Sequence, residues 1–188
     1  WTDGFDQRVA DGELKPSTAR GYRDHVKLHI KPALGFLRLQ DVTTRHVDEF
    51  HKELAAKPGR KEGSTLSVNT RRHVHVTLHA ALADAKRQRL IGYNPADDAV
   101  LPKAKRAPIS ASQVWTADEL LKFLKAVQDD RLGVLWQVMG TTGLRRGEAL
   151  GLRWDDVDLE HGTLRVRDTR TSVGYEVHEG GPKSEAGK

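Results

Sequence analysis

TTGLRRGEALGLRW, residues 141–154, predicts a turn followed by a short helix that begins with two arginines. At 100° per residue, Arg145, Glu148 and Leu152 share one face of that helix. An arginine on an apolar face is expected to be partly buried, and a buried guanidinium needs an anionic partner. Glu148 supplies one such partner, and the positive end of the helix dipole favours a bound phosphate as another. The stretch therefore predicts an arginine that is held ready for a phosphate.

The composition of the whole chain limits the classes of protein to which it can belong. The chain has 188 residues, of which 37% are hydrophobic and 30% charged, enough for one large or two small domains. No run approaches the roughly 20 apolar residues that a membrane span needs. The absence of cysteine excludes disulfides and thiolate metal sites and fits a cytoplasmic protein. The net charge of +5 favours a polyanionic partner.

The first hundred residues have the apolar spacing of helices. Ala19, Tyr22, Val26 and Ile30 predict one helix, which Lys31 and Pro32 are expected to end. A second helix is predicted from near Thr43 to Lys57, and a third from about Ser67 to Arg89. We therefore predict a compact helical domain over residues 1–101.

The later residues have a different pattern. Residues 102–113, with two prolines and three basic residues, predict a linker between domains. A capping box at Thr116–Glu119 starts the next helix, and the apolar run Leu132–Met139 predicts a buried helix. Strands are predicted over Thr163–Arg167 and around Tyr175–Val177. The fold class predicted for the chain is thus mainly α, with a helical bundle followed by a partial α+β domain that contains a small antiparallel sheet.

Basic residues outside the opening stretch are candidates for nucleic-acid binding. They are Arg71 and Arg72 on the third helix, and Lys103, Lys105 and Arg106 in the predicted linker. Basic side chains on a helix track phosphates and position a duplex. The alternative is an ordinary solvated helix face, and the helix residues alone do not separate the two interpretations. The basic linker favours nucleic acid.

Metal and cofactor chemistry have little support in the sequence. His75 and His79 are four residues apart on one helical face near His73, but the glutamate of an HExxH motif is missing. Asp155 and Asp156 follow Trp154 and are better explained by a polar turn than by Mg²⁺ binding, so a paired-carboxylate nuclease is a weak alternative. We predict no metal and no cofactor.

The run TGLRRGEALGLRWDDVDLEHGTLRV resembles the first catalytic segment of the tyrosine recombinases of the phage integrase family. That family has T-G-L-R-x-[GS]-E followed by an apolar stretch and L-x-W-x-D-[IV]. Upstream, STARGYRDHVKLHIKPALGFLRLQDVT and VNTRRHVHVTLHAALADAKRQRLIGYNPA resemble its SAM-like core-binding domain. The resemblance implies a core-binding domain over 1–101 and the N-terminal portion of a catalytic domain over 114–188.

The resemblance implies a role for three residues. Arg145 matches the first catalytic arginine, which contacts the scissile phosphate, and Glu148 matches the acidic position that supports it. Lys183, in the context Pro182-Lys183-Ser184, matches the β-hairpin lysine that protonates the leaving 5′ oxygen. The implied partner is double-stranded DNA, with self-association of the full-length protein as a tetramer on it and no membrane.

The sequence departs from the family pattern in its second half. The H-x-x-R segment and the nucleophilic tyrosine of the family have no match, since Tyr22, Tyr93 and Tyr175 lie in other contexts. We therefore expect this chain to be an inactive fragment of a cytoplasmic recombinase from a prokaryote, phage or mobile element. Two alternatives stay open: a non-catalytic DNA-binding regulator on a degenerate recombinase scaffold, and a helical RNA-binding protein.

Overall fold

A computed structural model describes residues 1–100 and 114–181. The described residues form two compact units, one in each range. Residues 102–113, predicted to be a linker, lie outside the described part, so the exact domain boundaries remain a prediction. The first unit is helical and the second combines helices with antiparallel strands, which confirms the predicted fold class.

The first unit consists of five α-helices and two short 3-10 helices. The 3-10 helices are Thr2–Gly4 and Leu39–Asp41, and the α-helices are α1 (Phe5–Ala10), α2 (Pro16–His25), α3 (Lys31–Leu34), α4 (Thr44–Ala56) and α5 (Val68–Arg87). A π-helical segment, Val26–Ile30, joins α2 directly to α3. The first predicted helix therefore runs without a break from Pro16 to Leu34.

The prediction that Lys31 and Pro32 end this helix is wrong. Pro32 is the second residue of α3 and lies inside this continuous helical run. Because proline has no amide hydrogen, the carbonyl four residues earlier, that of Leu28, lacks its usual helical donor. The ammonium of Lys57 donates to that oxygen over 2.7 Å. A side chain from the end of α4 thus supplies the donor that the proline lacks.

Side-chain caps mark the starts of α4 and α5. The Thr43 hydroxyl accepts from the amide of His46 (3.4 Å), and the Ser67 hydroxyl accepts from the amide of Thr70 (3.1 Å). Each bond satisfies one of the amides that a helix start leaves without an intrahelical partner. These two helices begin where the sequence predicts.

Apolar residues of the first unit form two clusters. The larger one joins α3, α4 and α5 and contains Leu34, Val42, Val47, Phe50, Leu54, Val74, Leu78, Leu82 and Ala96. The smaller one contains Phe5, Leu14 and Ala19, with Tyr22 packed against it. The apolar residues of α5, among them Val74, Leu78 and Leu82, therefore form its buried face.

The second unit contains three α-helices, a 3-10 helix and two β-ribbons. They are α6 (Ala117–Ala126), α7 (Gly133–Thr142), α8 (Arg146–Gly151), the 3-10 helix Trp154–Asp156, and strands β1 (Val157–Asp158), β2 (Thr163–Leu164), β3 (Thr169–Val173) and β4 (Glu176–Gly180). β1 pairs with β2 and β3 with β4, both antiparallel, with Val157 opposite Leu164 and Thr171 opposite His178. The strand predicted over Thr163–Arg167 is only two residues long, and β3 was not predicted.

The helix predicted to be buried, α7, is largely exposed in the described part of the chain. Gly133 is its only buried residue there, and Val134 is 76% exposed. α7 packs against α6 and α8, with Gly140 close to Leu120, and its remaining apolar surface faces solvent. The apolar composition of this segment correctly predicted a helix, but the prediction that the helix is buried is wrong. Across both described ranges, no helix has the length and apolar character that crossing a bilayer would require.

Candidate functional site

Arg145 and Glu148 form the centre of the candidate site. Arg145 is the N-cap of α8, with an extended backbone (φ −69°, ψ 150°), and Glu148 lies in the first turn. Glu148 accepts the main-chain amide of Arg145 at Oε2 (2.9 Å) and its guanidinium Nη1 at Oε1 (2.8 Å). One carboxylate therefore fixes both the backbone and the side chain of the arginine.

The prediction that Arg145 is partly buried is wrong. The side chain of Arg145 is 77% exposed, whereas that of Glu148 is 11% exposed. The reason is that Arg145 precedes the helix, so its side chain does not share the apolar face. The amide of Arg145, and then its guanidinium, lower the pKa of Glu148, which keeps the carboxylate charged. The result is a solvent-facing guanidinium tethered to a buried anion.

Close packing of α8 on β3 fixes the position of this pair. A Cβ added at Gly151 would lie 2.4 Å from the carbonyl oxygen of Asp168, and one added at Gly147 would lie 3.0 Å from that of Arg170. The two glycines are four residues apart and face the same strand. At Gly151 only a residue without a side chain allows so close an approach to the backbone of the facing chain, and at Gly147 a side chain would be crowded.

A left-handed glycine sets the direction of the chain just before Arg145. Gly143 has φ +71° and ends α7, where its amide donates to the carbonyl of Met139 over 3.0 Å. Glycine adopts this conformation without the penalty that a Cβ imposes. The turn predicted from Thr142 and Gly143 is thus the C-terminal cap of one helix and the approach to the next.

A second arginine–acid pair follows eight residues later with the same spacing. Asp156 accepts the main-chain amide of Arg153 at Oδ2 (3.1 Å), and its side chain is 2% exposed. The guanidinium of Arg167 bonds the other oxygen of Asp156 and also donates to the carbonyl of Asp155 over 3.1 Å. These bonds, with Arg167 first, lower the pKa of Asp156. Asp156 is therefore engaged by arginine groups and has a structural role in the turn.

Arg153 belongs to an ion-pair network with the β3–β4 hairpin. Its Nη2 lies 3.0 Å from Glu179 Oε2 and 3.3 Å from Asp168 Oδ2. Arg170 binds the other oxygen of Glu179 over 2.7 Å. The guanidinium of Arg153 is therefore engaged with two carboxylates. Sequence reasoning missed Glu179, because this contact spans 26 residues.

The structure separates the two arginines predicted to bind DNA on α5. Arg72 is exposed, whereas Arg71 is half-buried, and its buried Nε has no hydrogen-bond partner within the described residues. Of these two arginines, only Arg72 has the solvent-exposed side chain expected of a residue that binds phosphate. The other predicted DNA-binding residues, Lys103, Lys105 and Arg106, lie outside the described residues. So does Lys183, the predicted general acid.

The histidines of α5 have separate surroundings. His75 is buried and its Nδ1 lies 3.0 Å from Nε2 of His51, while His79 bonds Asp97 over 2.8 Å and His73 is exposed. Burial, followed by His51 and His79, lowers the pKa of His75 to about 4. Among the described residues no group of three potential ligands has the geometry to hold a metal ion.

Two family models match the chain. The model described as "Phage integrase, N-terminal SAM-like domain" matches residues 8–55, and "Phage integrase family" matches residues 116–180. Together they cover more than half of the chain, in the two regions where the sequence resembles that family. The chain therefore belongs to the phage integrase family of tyrosine recombinases.

Curated relatives and a solved structure agree with this assignment. An integrase of Saccharopolyspora erythraea is 28% identical over 88% of the chain, and a tyrosine recombinase XerC-like protein of Caldanaerobacter subterraneus subsp. tengcongensis is 26% identical over 81%. The chain spans only 36% and 38% of the length of these relatives. The integrase of the Tn1549 transposon, solved with transposon right-end DNA, shares the fold with a TM-score of 0.72 at 22% identity, over 97% of this chain and 57% of that one.

Proposed function

We propose that this chain is the DNA-binding and phosphate-orienting part of a site-specific tyrosine recombinase. In that reaction a tyrosine attacks a DNA phosphodiester to form a 3′-phosphotyrosyl link, and a 5′ hydroxyl of another strand reverses the step. The observation that carries the proposal is the exposed guanidinium of Arg145, anchored to the buried carboxylate of Glu148. The Tn1549 relative, which was solved with transposon DNA, makes duplex DNA the substrate class to test.

The geometry of Arg145 suits a phosphate that gains charge during the reaction. Glu148 holds Nη1, while Nε and Nη2 form no hydrogen bond among the described residues. Two donors on one planar group match two phosphate oxygens, and they favour the pentacoordinate state in which negative charge accumulates. Because Glu148 also holds the main chain, the donors need little reorganisation. Removing such a donor typically costs on the order of 3 kcal/mol of transition-state stabilisation.

Lys183 is the proposed general acid that protonates the leaving 5′ oxygen. Strand β4 ends at Gly180, so Lys183 follows the β3–β4 hairpin within three residues of sequence. A lysine next to a hairpin fits the hairpin position that the family resemblance assigns to it. Arg153 and Glu179 tie the same hairpin to the segment after α8.

DNA contacts beyond the active site are proposed for the basic residues of the first unit and the predicted linker. They are Arg71 and Arg72 on α5, with Lys103, Lys105 and Arg106 following. Exposed Arg72 is the stronger candidate of the two helix residues. The net charge of +5 supports a polyanionic partner for the whole chain.

Self-association belongs to the same proposal. A complete exchange between two duplexes breaks four strands, and one nucleophile serves each strand, so four copies of the full-length recombinase are expected on the DNA. Since the relatives include bacterial proteins and the substrate is DNA, we place the protein in the bacterial cytoplasm.

Replacement of Arg145 tests the catalytic assignment. In the full-length recombinase, Arg145→Ala is expected to lower strand cleavage by 100-fold or more, on the scale known for lost transition-state donors, while most DNA binding remains. Arg146→Ala is the matched control, because Arg146 is also exposed but is not held by Glu148. Equal cleavage by the Arg145 variant and the wild type would reject the assignment.

The 188-residue chain itself is expected to bind a labelled duplex without forming a covalent adduct. Tyr22 packs against Trp1, with ring centroids 5.5 Å apart, and Tyr175 lies at the exposed tip of the β3–β4 hairpin. A covalent adduct with a nicked suicide duplex would contradict this and would require a search among the three tyrosines. Binding by a full-length protein that never cleaves DNA would favour the non-catalytic regulator instead.

A further inference from the structure

Four basic side chains gather where the π-helical segment, the end of α4 and the first half of α5 meet. This basic cluster comprises His25, His29, Lys57 and His73. Lys57 Nζ lies 3.3 Å from His29 Nδ1, and His25 Nδ1 lies 2.8 Å from the Thr77 hydroxyl of α5. His73, one turn before Thr77, is exposed and interacts electrostatically with His25. The cluster continues along α5 to exposed Arg72.

Acidic groups near the basic cluster do not neutralise it. Asp24 on α2 is next to His25 but pairs with Arg20, with Nε and Oδ2 3.9 Å apart. Glu53 on α4 lines a pocket of about 180 Å³ with His29 and Lys57, and its side chain faces solvent. Within the described residues, neither carboxylate forms an ion pair with a member of the cluster. The lysine and the imidazoles of the cluster therefore have no carboxylate partner among the described residues and are available to an external anion.

The electrostatics of the cluster favour neutral imidazoles when no anion is bound. Burial, followed by repulsion from His73, lowers the pKa of His25, and Asp24 opposes this shift only in part. Burial, followed by Lys57 and then His25, lowers the pKa of His29. A phosphate placed among these groups would reverse the repulsion and favour the protonated rings.

We infer that His25, His29, Lys57 and His73 form a phosphate-binding site for the duplex backbone that takes up protons as it binds. This inference rests on the proposed function, because it names a contact surface for the same DNA. The proposed contact with the DNA backbone lies where the π-helical segment crosses α5. It includes Lys57, the lysine that donates to the Leu28 carbonyl.

The sign of the pH dependence follows from linkage. If bound phosphate raises the pKa of a histidine, affinity is greatest below the pKa of the free protein and is lost as pH rises through the pKa of the complex. Each histidine whose pKa rises by one unit contributes about tenfold in affinity. We expect the chain to bind duplex DNA on the order of tenfold more tightly at pH 6 than at pH 8, at constant salt.

The test measures binding of the 188-residue chain to a fluorescently labelled mixed-sequence duplex at pH 6, 7 and 8. The variants are His25→Gln with His29→Gln, and His73→Gln alone, which spares the core because His73 is exposed. His46→Gln is the control, since glutamine keeps the capping role that His46 has in α4. Circular dichroism checks the fold of each variant.

The inference predicts two results. The double variant should lose most of the pH dependence while the His46 variant keeps it, and ring pKa values of His25 and His29 measured by NMR should rise when the duplex is added. Unchanged pH dependence in the double and His73 variants, or ring pKa values that the duplex does not move, would overturn it.

Failure of the proposed function gives a different result. If the chain binds no duplex at any pH, DNA binding is rejected, and titration with inorganic phosphate then decides the site. A phosphate-induced rise in the ring pKa values of His25 and His29 would support the anion site. Rings that do not respond to phosphate would refute the site as well.

Discussion

The close approach of α8 and β3 gives a quantitative prediction for Gly151→Ala. The new Cβ would lie 2.4 Å from the carbonyl oxygen of Asp168, so helix and strand must separate by more than half an ångström to reach a tolerable contact. Both sides of the contact are main chain, and neither can rotate away. Overpacking of this kind typically costs about 1–3 kcal/mol. Alanine recovers less than about 1 kcal/mol of helix propensity, because Gly151 is the last residue of α8.

The expected net loss for Gly151→Ala is thus about 1–2 kcal/mol. For a unit of this size that lowers the midpoint of thermal unfolding by roughly 5–15 °C. Urea and thermal unfolding followed by circular dichroism would measure it. Gly147→Ala, with its Cβ 3.0 Å from Arg170 O, should cost less.

Gly21→Ala is the matched control for this substitution. Gly21 lies within α2, and a Cβ there meets nothing within 4 Å. Alanine should therefore stabilise the first unit by about 0.5–1 kcal/mol. If Gly151→Ala proved as stable as the wild type while Gly21→Ala gave the expected gain, the packing of α8 on β3 would be wrong.

Three further predictions concern the stability of single contacts. Burial lowers the pKa of His75 to about 4, so on acidification the unfolded chain binds a proton at His75 before the folded chain does, and the free energy of unfolding should fall by up to about 3 kcal/mol as pH drops from 6.5 to 4. Urea unfolding across this range should show a dependence of that free energy on pH that His75→Gln reduces. An equal dependence in the wild type and the variant would contradict the prediction. Lys57→Met removes the donor to the solvent-accessible Leu28 carbonyl, which water can then hydrate, and should cost about 0.5–1.5 kcal/mol in chemical unfolding, whereas Lys52→Met, at an exposed site on α4, should be neutral. Thr116→Ala removes the N-cap of α6 and should cost about 1 kcal/mol, while Thr116→Ser retains the cap; equal midpoints for the two variants would exclude the cap.

Local features of the fold were predictable from the sequence. The starts of α4, α5 and α6 follow from Thr43, Ser67 and Thr116, because a cap joins a side chain to an amide three residues away. The pairing of Arg145 with Glu148 was predictable for the same reason. Which of the two is buried was not, since that depends on whether Arg145 lies inside α8 or before it.

Features that depend on distant residues were not predictable. Pro32 is a helix breaker by its own chemistry, yet the helix continues through a π-helical segment, and the Leu28 carbonyl finds its donor in Lys57, 29 residues away. Strand β3 has mixed exposed positions rather than a clear alternation, so its pairing with β4 leaves little trace in the sequence. The apolar composition of α7 does not specify which neighbours cover it.

The repeated spacing of the two arginine–acid pairs bears on the order of folding. Glu148 binds the main chain of Arg145, and Asp156 binds that of Arg153, each across three residues. Contacts of such short sequence separation need almost no loop closure, so we expect them to form before the strands pair. The local bonds of the proposed catalytic arginine are therefore specified by a tetrapeptide, and we expect them to survive insertions elsewhere in the chain that leave the packing of α8 on β3 in place.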